Sequence, residues 1–323
     1  METLIKPLKI GSFICPSNLI LAPMAGITDS PFRLLCLRGG AGLVCAEMVS
    51  ANALKFSSKK SFKMLSINPK EHPLSMQVFG GDPQTIALAA RLAEKEGADI
   101  IDINAGCPAK KVNKSGAGCV LMKDPAKIGE IVAAARKSVK IPITLKTRIS
   151  LNKAEILSPL IAKIAQDNGA DAITIHARAA VDMHSGEPNL KALEETCKAV
   201  NIPVIGNGGI TDAKSAKAMF NCGCQGIMIG RGAVGNPFIF SEIAATLNGL
   251  EPKPLSLSEK IKIFKELIEE NVKFYGESTG VSRSKKTVGY WLKDFEGSSA
   301  VRSQLVLAQT LSEVEKILAP LIK

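Results

Sequence analysis

Short apolar runs alternate with longer amphipathic stretches along the first 230 residues of the chain. Eight of these runs are rich in Ile, Leu and Val and are bounded by Gly, Pro or Asp, which is typical of buried strands. They lie at 19–22, 43–46, 74–79, 99–103, 143–146, 172–176, 203–206 and 226–229. Between them, apolar residues recur at helical spacing over 83–96, 125–139, 154–168, 189–200 and 212–221.

This alternation predicts a parallel sheet that is covered by helices, because only strands buried on both faces are apolar without interruption. Eight strand-helix repeats in roughly 230 residues fit a closed (β/α)₈ TIM barrel better than an open, doubly wound sheet. The segment after the first strand reads A-P-M-A-G-I-T-D over 22–29 and contains no G-x-G-x-x-G motif. A Rossmann module is therefore not expected.

The pattern changes after residue 240. The stretch E-P-K-P at 251–254 reads as a linker, and three helices are predicted at 256–275, 281–295 and 303–318. We therefore expect a catalytic barrel over 1–250 and a small all-helical domain over 251–323. Arg283, Lys285 and Lys286 precede Tyr290 and Trp291 in the middle helix. Basic and aromatic residues together hold phosphates and stack bases, although a Tyr-Trp pair is also a common core element.

Composition and charge narrow the class of protein. The chain has 323 residues, of which 46% are hydrophobic and 22% charged, and it has a net charge of +11. This charge favours a polyanionic partner. No signal peptide or apolar run of spanning length is present, so a cytoplasmic location is expected. The eight cysteines are scattered, which favours reduced thiols and no metal site.

Polar residues follow the predicted strands, and in a barrel such residues converge on one mouth. They include Pro23, Met24, Gln77, Asn104, Cys107, Lys146, His176, Arg178, Asn207, Gly208, Gly209, Gly230 and Arg231. The last two loops, G-N-G-G-I-T-D and G-R-G-A-V-G-N-P, are rich in glycine and precede helices. Such loops commonly bind phosphate through backbone amides and a helix N-terminus, so a phosphorylated cofactor is predicted. Tight turns without a ligand are the alternative.

The loop after the fourth strand, N-A-G-C-P-A-K-K-V-N-K over 104–114, is the strongest candidate for chemistry. Cys107 lies between Gly106 and Pro108, which restrict the backbone around it. Lysines follow at 110, 111 and 114. A rigidly placed thiol beside cations suggests a reaction on an anionic molecule, whereas the alternative is a small buried apolar residue in a solvated loop.

These motifs resemble those of the tRNA-dihydrouridine synthases, FMN enzymes that reduce the C5–C6 double bond of uridine in tRNA. The resemblance extends over almost the whole chain. The G-C-P-A-K-K-V loop resembles that of the bacterial B-type branch. Its motifs are L-A-P-M-A-G-I-T-D-S-P-F-R (21–33), E-M-V-S-A (47–51), Q-V-F-G (77–80), D-I-N-A-G-C-P-A-K-K-V (102–112), L-K-T-R (145–148), I-H-A-R (175–178), I-G-N-G-G-I (205–210) and I-G-R-G-A-V-G-N-P (229–237).

The resemblance implies roles for individual residues, with Cys107 as the proton donor. Residues expected to line or bind FMN are Pro23, Met24, Ala25, Gln77, Lys146, His176, Asn207, Gly208, Gly209, Gly230 and Arg231. Residues expected to contact tRNA are Asn104, Lys110, Lys111, Arg178, Arg283, Lys285 and Lys286. Many family members have Asp in place of Gly209, so this glycine would act through its backbone amide. NADPH, or NADH, would reduce the flavin, and the protein is expected to be a monomer.

The implied mechanism is reduction of an α,β-unsaturated carbonyl in the D-loop of tRNA. Hydride from reduced FMN goes to C6, and Cys107 delivers a proton to C5. A thiol with an ordinary pKa near 8.5 is mostly protonated at neutral pH, so it suits an acid. The neighbouring lysines are expected to face RNA phosphates, because cations at the sulfur would favour the thiolate.

Three other functions remain open. An FMN barrel that reduces a free pyrimidine or another small enone would share the flavin site, but would need neither the basic loops nor the helical domain. An aldolase-like barrel would use Lys146 as a Schiff base and would leave Cys107 and Gln77 without a role. A non-catalytic RNA-binding protein on an enzyme scaffold would show no turnover.

Overall fold

Eleven strands form two sheets within residues 3–322, the part of the chain that the computed structural model describes. In chain order they are β1 (Leu8–Ile10), β2 (Phe13–Cys15), β3 (Leu19–Leu21), β4 (Leu43–Cys45), β5 (Val49–Ser50), β6 (Leu74–Phe79), β7 (Ile100–Asn104), β8 (Ile143–Ser150), β9 (Ala172–Ala179), β10 (Val204–Asn207) and β11 (Gly226–Ile229). β1 and β2 pair as an antiparallel hairpin. The other nine strands form one sheet in which all pairings are parallel.

The parallel sheet closes into a barrel. β3 lies between β11 and β4, with Ile229 opposite Leu21, and β4 pairs with β6 through Val44 and Leu74. The order β3-β4-β6-β7-β8-β9-β10-β11 therefore returns to β3. All residues of β3, β4, β7, β9, β10 and β11 are buried, since helices cover the outer face and side chains fill the inside. The predicted (β/α)₈ barrel is confirmed.

Two barrel strands are longer than the sequence pattern predicts. β8 continues to Ser150 and β9 to Ala179, whereas the predicted strands end at 146 and 176. Arg178, which was predicted to follow its strand, therefore lies within β9, and Arg148 lies within β8. The apolar pattern ends early because these strand ends carry buried polar side chains, including both arginines.

Fifteen α-helices lie within the described residues. They are α1 (Ser30–Arg38), α2 (Ala51–Lys55), α3 (Lys59–Leu65), α4 (Pro83–Lys95), α5 (Lys110–Asn113), α6 (Pro125–Ser138), α7 (Ser158–Asp167), α8 (Leu190–Ala199), α9 (Ala213–Asn221), α10 (Ile239–Leu247), α11 (Leu257–Tyr275), α12 (Glu277–Ser284), α13 (Val288–Trp291), α14 (Ser298–Leu307) and α15 (Leu311–Leu318). Within residues 3–322, none of these helices combines the length and the apolar character that a membrane crossing requires.

The barrel helices begin at clear sequence signals. Asp29, Asp82 and Asp124 each accept a hydrogen bond from a backbone N–H in the first turn of the helix that follows, and a proline occupies that first turn. The five helices predicted between the barrel strands are present as α4, α6, α7, α8 and α9, and their ends differ from the prediction by up to four residues.

The prediction of three helices after the linker is wrong, because the structure has five there. The predicted helix 281–295 begins earlier, at Glu277, and a 3₁₀ turn at Lys285–Thr287 interrupts it before α13. The predicted helix 303–318 is two helices, since Thr310 starts α15 with a capping box to Glu313. Such short breaks leave the apolar spacing almost unchanged, which is why the pattern did not show them.

The C-terminal helices pack on the barrel beside α1 and the loop after β11. Phe264 on α11 stacks on Trp291 with ring centroids 5.2 Å apart, and both rings are buried. Arg38 at the end of α1 forms an exposed bidentate pair with Glu266. Gly235 has φ of 81° and lies so close to Tyr290 that a Cβ would be 2.4 Å from the Tyr290 carbonyl oxygen. This contact holds α13 over the barrel mouth.

Candidate active site

A cavity of about 1120 Å³ opens at the carboxyl ends of the barrel strands. Its wall includes residues from both ends of the chain, since Tyr290 and Trp291 on α13 line it together with the barrel loops. The sequence-predicted residues at this wall are Pro23, Met24, Ala25, Gln77, Asn104, Cys107, Lys146, His176, Arg178, Asn207, Gly208, Gly209, Gly230 and Arg231. The structure thus gathers the residues assigned to a cofactor, together with the assigned acid, around a single space.

A chain of hydrogen bonds links a buried carboxylate to the backbone of Cys107. Asp102 on β7 accepts from Gln77 Nε2 at 2.6 Å and from the Thr144 hydroxyl at 2.6 Å. Gln77 Oε1 accepts from Asn104 Nδ2 at 2.9 Å, and Asn104 Oδ1 accepts the N–H of Cys107 at 3.0 Å. A carboxylate only accepts hydrogen bonds, so Asp102 sets the orientation of both amides.

Lys146 is the cation at the centre of the cavity floor. Its Nζ donates to Asn207 Oδ1 at 2.8 Å, and Asn207 Nδ2 donates to the Met228 carbonyl at 2.7 Å. Burial lowers the pKa of Lys146 to about 8, and the negative charge of Asp102 limits this fall. Burial raises the pKa of Asp102 to about 6, against its two hydrogen bonds and Lys146. At neutral pH Lys146 is therefore an ammonium at the cavity wall, and Asp102 is a buried carboxylate behind that wall.

His176 on β9 is a neutral imidazole. Burial, together with the charges of Lys146, Arg148 and Arg178, lowers its pKa far below the ordinary range. Its Nε2 lies 3.3 Å from an Arg178 guanidinium nitrogen, so the neutral ring accepts that N–H. His184 stacks against it at a centroid distance of 6.0 Å. Because the ring also lines the cavity, His176 is available to a ligand there.

The Cys107 thiol is half-buried at the cavity wall. Burial raises its pKa, while a hydrogen bond from the backbone at Ala109 and the charges of Arg148 and Lys146 act in the opposite direction. The Cys107 carbonyl accepts the backbone N–H of Cys119 at 3.0 Å. A Cβ at Gly118 would lie 2.5 Å from that carbonyl oxygen. The loop is therefore closely packed, and its thiol is protonated at neutral pH.

The glycine-rich loops after β10 and β11 present unused hydrogen-bond donors. Within residues 3–322, the backbone N–H groups of Gly208, Gly209, Gly230 and Arg231 donate to no protein acceptor. Gly208 has φ of 117° and Gly209 of 73°, which favours glycine at both positions. The first turn of α9 is already satisfied by Asp212. An anion would therefore bind the loop amides and not this helix terminus.

Of the six basic residues assigned to RNA, Arg178 lines the cavity and the other five lie outside its wall. Lys110 and Lys111 are exposed on α5, and Lys286 is exposed in the 3₁₀ turn before α13, with Lys285 half-buried beside it. Arg283 differs from them, since its guanidinium lies 4.4 Å above the Tyr275 ring.

Arg283 also joins two barrel loops to the C-terminal helices. Its NH2 group lies 3.0 Å from Asp29 and 3.4 Å from Glu47, which follow β3 and β4. The Tyr275 hydroxyl donates to the same Asp29 carboxylate at 3.2 Å. Glu47 also accepts the N–H of Gly26. Arg283 therefore connects α12 to the barrel mouth.

The sequence interpretation assigned no role to Asp102, Thr144 or His184. Asp102 had a detectable signal, because it is a charged residue inside the apolar run I-I-D-I of a strand that had to be buried. Thr144 is its partner on the neighbouring strand. His184 had no local signal, since it reaches the cavity from a loop after β9.

A closed barrel with polar groups collected at the carboxyl ends of its strands defines the class of TIM-barrel enzymes. Within that class, the chain belongs to the dihydrouridine synthase family, whose family model matches residues 20–322. The resemblance inferred from the sequence motifs is confirmed. Within the described residues, no group of three His, Cys, Asp or Glu side chains is placed to hold a metal ion.

Curated relatives cover nearly the full chain. The chain is 40% identical over 298 residues to tRNA-dihydrouridine synthase B of Pseudomonas aeruginosa, which covers 92% of this chain and 90% of the relative. The B-type protein of Vibrio parahaemolyticus is 41% identical over 297 residues, with coverage of 91% and 92%. A probable tRNA-dihydrouridine synthase of Rickettsia conorii is 39% identical over 314 residues, with coverage of 96% and 95%.

Solved structures with a similar fold are more distant in sequence. A 2-naphthoyl-CoA reductase complex has a TM-score of 0.61 and 15% identity, and the alignment covers 77% of this chain and 52% of that one. A variant of NCR from Zymomonas mobilis has a TM-score of 0.56 and 17% identity, with coverage of 79% and 93%. At these identities the likeness establishes the barrel fold alone.

Proposed function

We propose that this protein reduces the C5–C6 double bond of a uridine in the D-loop of tRNA, with FMN as its cofactor. The names of the relatives, at about 40% identity over most of the chain, supply the substrate class. The observation that carries the proposal is the cavity itself. It combines a protonated Cys107 thiol with four loop amides, at Gly208, Gly209, Gly230 and Arg231, that lack a protein acceptor within residues 3–322.

The donors of the cavity fit FMN. The amides of Gly208, Gly209, Gly230 and Arg231 suit a phosphate dianion, since they lie on loops after two neighbouring strands and have no protein acceptor within residues 3–322. A volume of about 1120 Å³ exceeds what a cofactor alone needs, and leaves room for a base.

Residues that line the cavity would hold the flavin ring. Pro23, Met24 and Ala25 would provide its apolar contact. Gln77 and Lys146 each retain a donor that their protein hydrogen bonds do not use. His176 would contact the cofactor as a neutral group.

When bound and reduced, FMN supplies a hydride for C6 of the uracil. Cys107 donates its thiol proton to C5, so the base gains two hydrogen atoms and the thiolate is reprotonated from solvent. The raised pKa of Cys107 keeps the proton on sulfur until negative charge develops on the base. Lys146 is a cation near this charge and favours the electron-rich state of the ring system.

The uridine must leave its base stack to reach the cavity. Asn104 and Arg178 line the cavity and would contact the inserted nucleotide. Lys110, Lys111, Lys285 and Lys286 would contact phosphates around the mouth, together with Arg283, in keeping with a net charge of +11. NADPH, or NADH, would restore the reduced flavin, and the enzyme would act as a monomer in the cytoplasm.

The test is position-mapped dihydrouridine content, measured by mass spectrometry in tRNA from a strain that lacks this gene. Complementation with the wild type should restore one D-loop site, and complementation with Cys107→Ala should not. Purified Cys107→Ala should retain FMN. Unchanged dihydrouridine in a strain with no second synthase would reject the tRNA substrate and favour reduction of a small enone.

A further inference from the structure

The segment between β5 and β6 carries an exposed surface that the proposed reaction does not use. It comprises residues 55–63, at the end of α2 and the start of α3, and we call it the α2–α3 surface. Phe56 is 79% exposed, more than any other large hydrophobic residue among those described, and Phe62 is 39% exposed. Four lysines lie near the two rings in sequence, and all are exposed: Lys55, Lys59, Lys60 and Lys63.

The charge of this surface is uncompensated. No Asp or Glu occurs between Met48 and Lys70. Within residues 3–322, none of the four lysines forms an ion pair, whereas Lys163 and Lys198 on the barrel helices pair with acids one turn away. An exposed aromatic ring among free ammonium groups is not explained by packing or by helix stability.

The α2–α3 surface lies near the cavity mouth. α2 starts directly after β5, whose Ser50 pairs with Phe79 at the carboxyl end of β6. A Cβ added at Gly80 would lie 3.2 Å from the Cβ of Ala51. Gly81 packs closely against the backbone of Gly116. Gly116 belongs to the loop that carries Cys107, Lys110 and Lys111. The two groups of lysines therefore belong to segments that follow β5 and β7, which both pair with β6, at the carboxyl end of the barrel.

Within residues 3–322, the two rings and four lysines of the α2–α3 surface stay exposed. The C-terminal helices contact the loops after β3, β4 and β11, through Arg283 with Asp29 and Glu47 and through Tyr290 with Gly235. The α2–α3 surface follows β4 and lies next to the loops after β6 and β7. Lysines thus flank the mouth on two sides, with Lys285 and Lys286 on one and this surface on the other.

We propose that the α2–α3 surface binds a single-stranded segment of the tRNA, with Phe56 stacked on an unpaired base and the lysines on flanking phosphates. Looped RNA presents both an exposed π-face and a dense negative charge, which are the two features this surface complements. The inference rests on the proposed function and deepens it, because it assigns a second contact that holds the tRNA while one uridine enters the cavity.

The test compares affinities of FMN-loaded variants for an unmodified tRNA transcript, measured by fluorescence anisotropy over a range of salt concentrations. Phe56→Ala should weaken binding by about 5- to 150-fold, with an unchanged salt dependence. Phe56→Trp should restore binding and Phe56→Leu should not, since stacking requires a ring. Lys59→Gln with Lys60→Gln should reduce the slope of log affinity against log salt by about 1.5.

Matched controls come from the β1–β2 hairpin, which lies outside the barrel sheet. Ile14 is 62% exposed and pairs with the exposed Lys9, so Ile14→Ala and Lys9→Gln remove similar groups and should leave affinity within twofold. Unchanged affinity in all variants at Phe56, Lys59 and Lys60 would overturn the inference. The proposed function would still stand if the wild type binds and reduces the tRNA. Failure of the wild type to bind the transcript would reject both.

A protein partner is the competing occupant. Sedimentation of the wild type and Phe56→Ala distinguishes it, because a self-association that the substitution abolishes, with tRNA affinity intact, would assign the surface to a second copy and overturn the RNA contact. Equal mass of the two proteins, together with the loss of affinity in Phe56→Ala, would support the proposal.

Discussion

At the scale of single residues, the thiol of Cys107 carries the most specific prediction. The proposed acid role requires its protonated form, and burial raises its pKa. The single-turnover rate of the wild type should therefore stay level through neutral pH and fall only above the ordinary thiol pKa of about 8.5. Cys107→Ser should be slower by about 10²- to 10⁴-fold and should lack this alkaline fall. Stopped-flow oxidation of the reduced flavin by tRNA measures both, and a rate that already falls near neutrality would contradict an acid role.

Asp102 should act through Lys146, although it does not line the cavity. Its charge holds up the pKa of Lys146, which is about 8 in the folded protein. Asp102→Asn removes this charge, so Lys146 loses its proton at lower pH. FMN affinity should then begin to fall at lower pH than in the wild type, and at pH 8 it should be weaker by about tenfold. Fluorescence titrations at several pH values test this, with Thr144→Ser, which keeps the hydroxyl, as the unchanged control. If the pH dependence of FMN affinity is unshifted in Asp102→Asn, then Asp102 does not act on FMN binding through Lys146.

At the scale of elements, the loop after β10 should tolerate no side chain at Gly208. An alanine there would adopt φ of 117° and place its Cβ 2.8 Å from His176 Cδ2. Gly208→Ala should therefore lose most bound FMN, measured as flavin absorbance per protein after gel filtration. Gly249→Ala is the control, since φ is 78° but nothing lies within 4 Å. Both variants should lose about 1 kcal/mol of unfolding free energy from backbone strain. Equal FMN loss in both would mean that strain alone removes the cofactor.

The link between α12 and the barrel loops should contribute more stability than an exposed pair. Arg283→Gln leaves the carboxylates of Asp29 and Glu47 close together without a cation. We expect a loss of about 2–3 kcal/mol in unfolding free energy, below the cost at a fully buried pair. Arg38→Gln breaks the exposed pair with Glu266 and should cost about 0.5 kcal/mol. Urea denaturation measures both losses of unfolding free energy. Equal losses would show that Arg283 stabilises the fold no more than an exposed pair does, and would favour a role in RNA binding alone.

At the scale of the whole molecule, sequence pattern predicts what is local and fails where contacts are distant. The barrel was predictable because its strands are buried on both faces and read as apolar runs such as 226–229. The predicted barrel in turn placed the residues at the strand ends, including Cys107 and Lys146, at its mouth. The partnership of Arg283 with Asp29, 254 positions apart, leaves no periodic signal. The placement of α13 over the cavity likewise depends on its packing against Gly235, which no local propensity encodes.

The cavity therefore belongs to both parts of the chain, and Tyr290 tests this. Its ring is 39% exposed and lines the cavity from α13, opposite the barrel floor. If the inserted nucleotide contacts this ring, Tyr290→Ala should raise KM for tRNA by about 5- to 100-fold while the Kd for FMN stays constant. Tyr290→Phe keeps the ring and should restore KM. Phe274→Ala removes a ring that is 45% exposed on the same helical part but outside the cavity wall, and KM should stay near the wild-type value. Tyr290→Ala could instead lower FMN affinity and leave KM for tRNA unchanged. That result would assign Tyr290 to cofactor binding, and it would mean that α13 closes the flavin site and does not contact RNA.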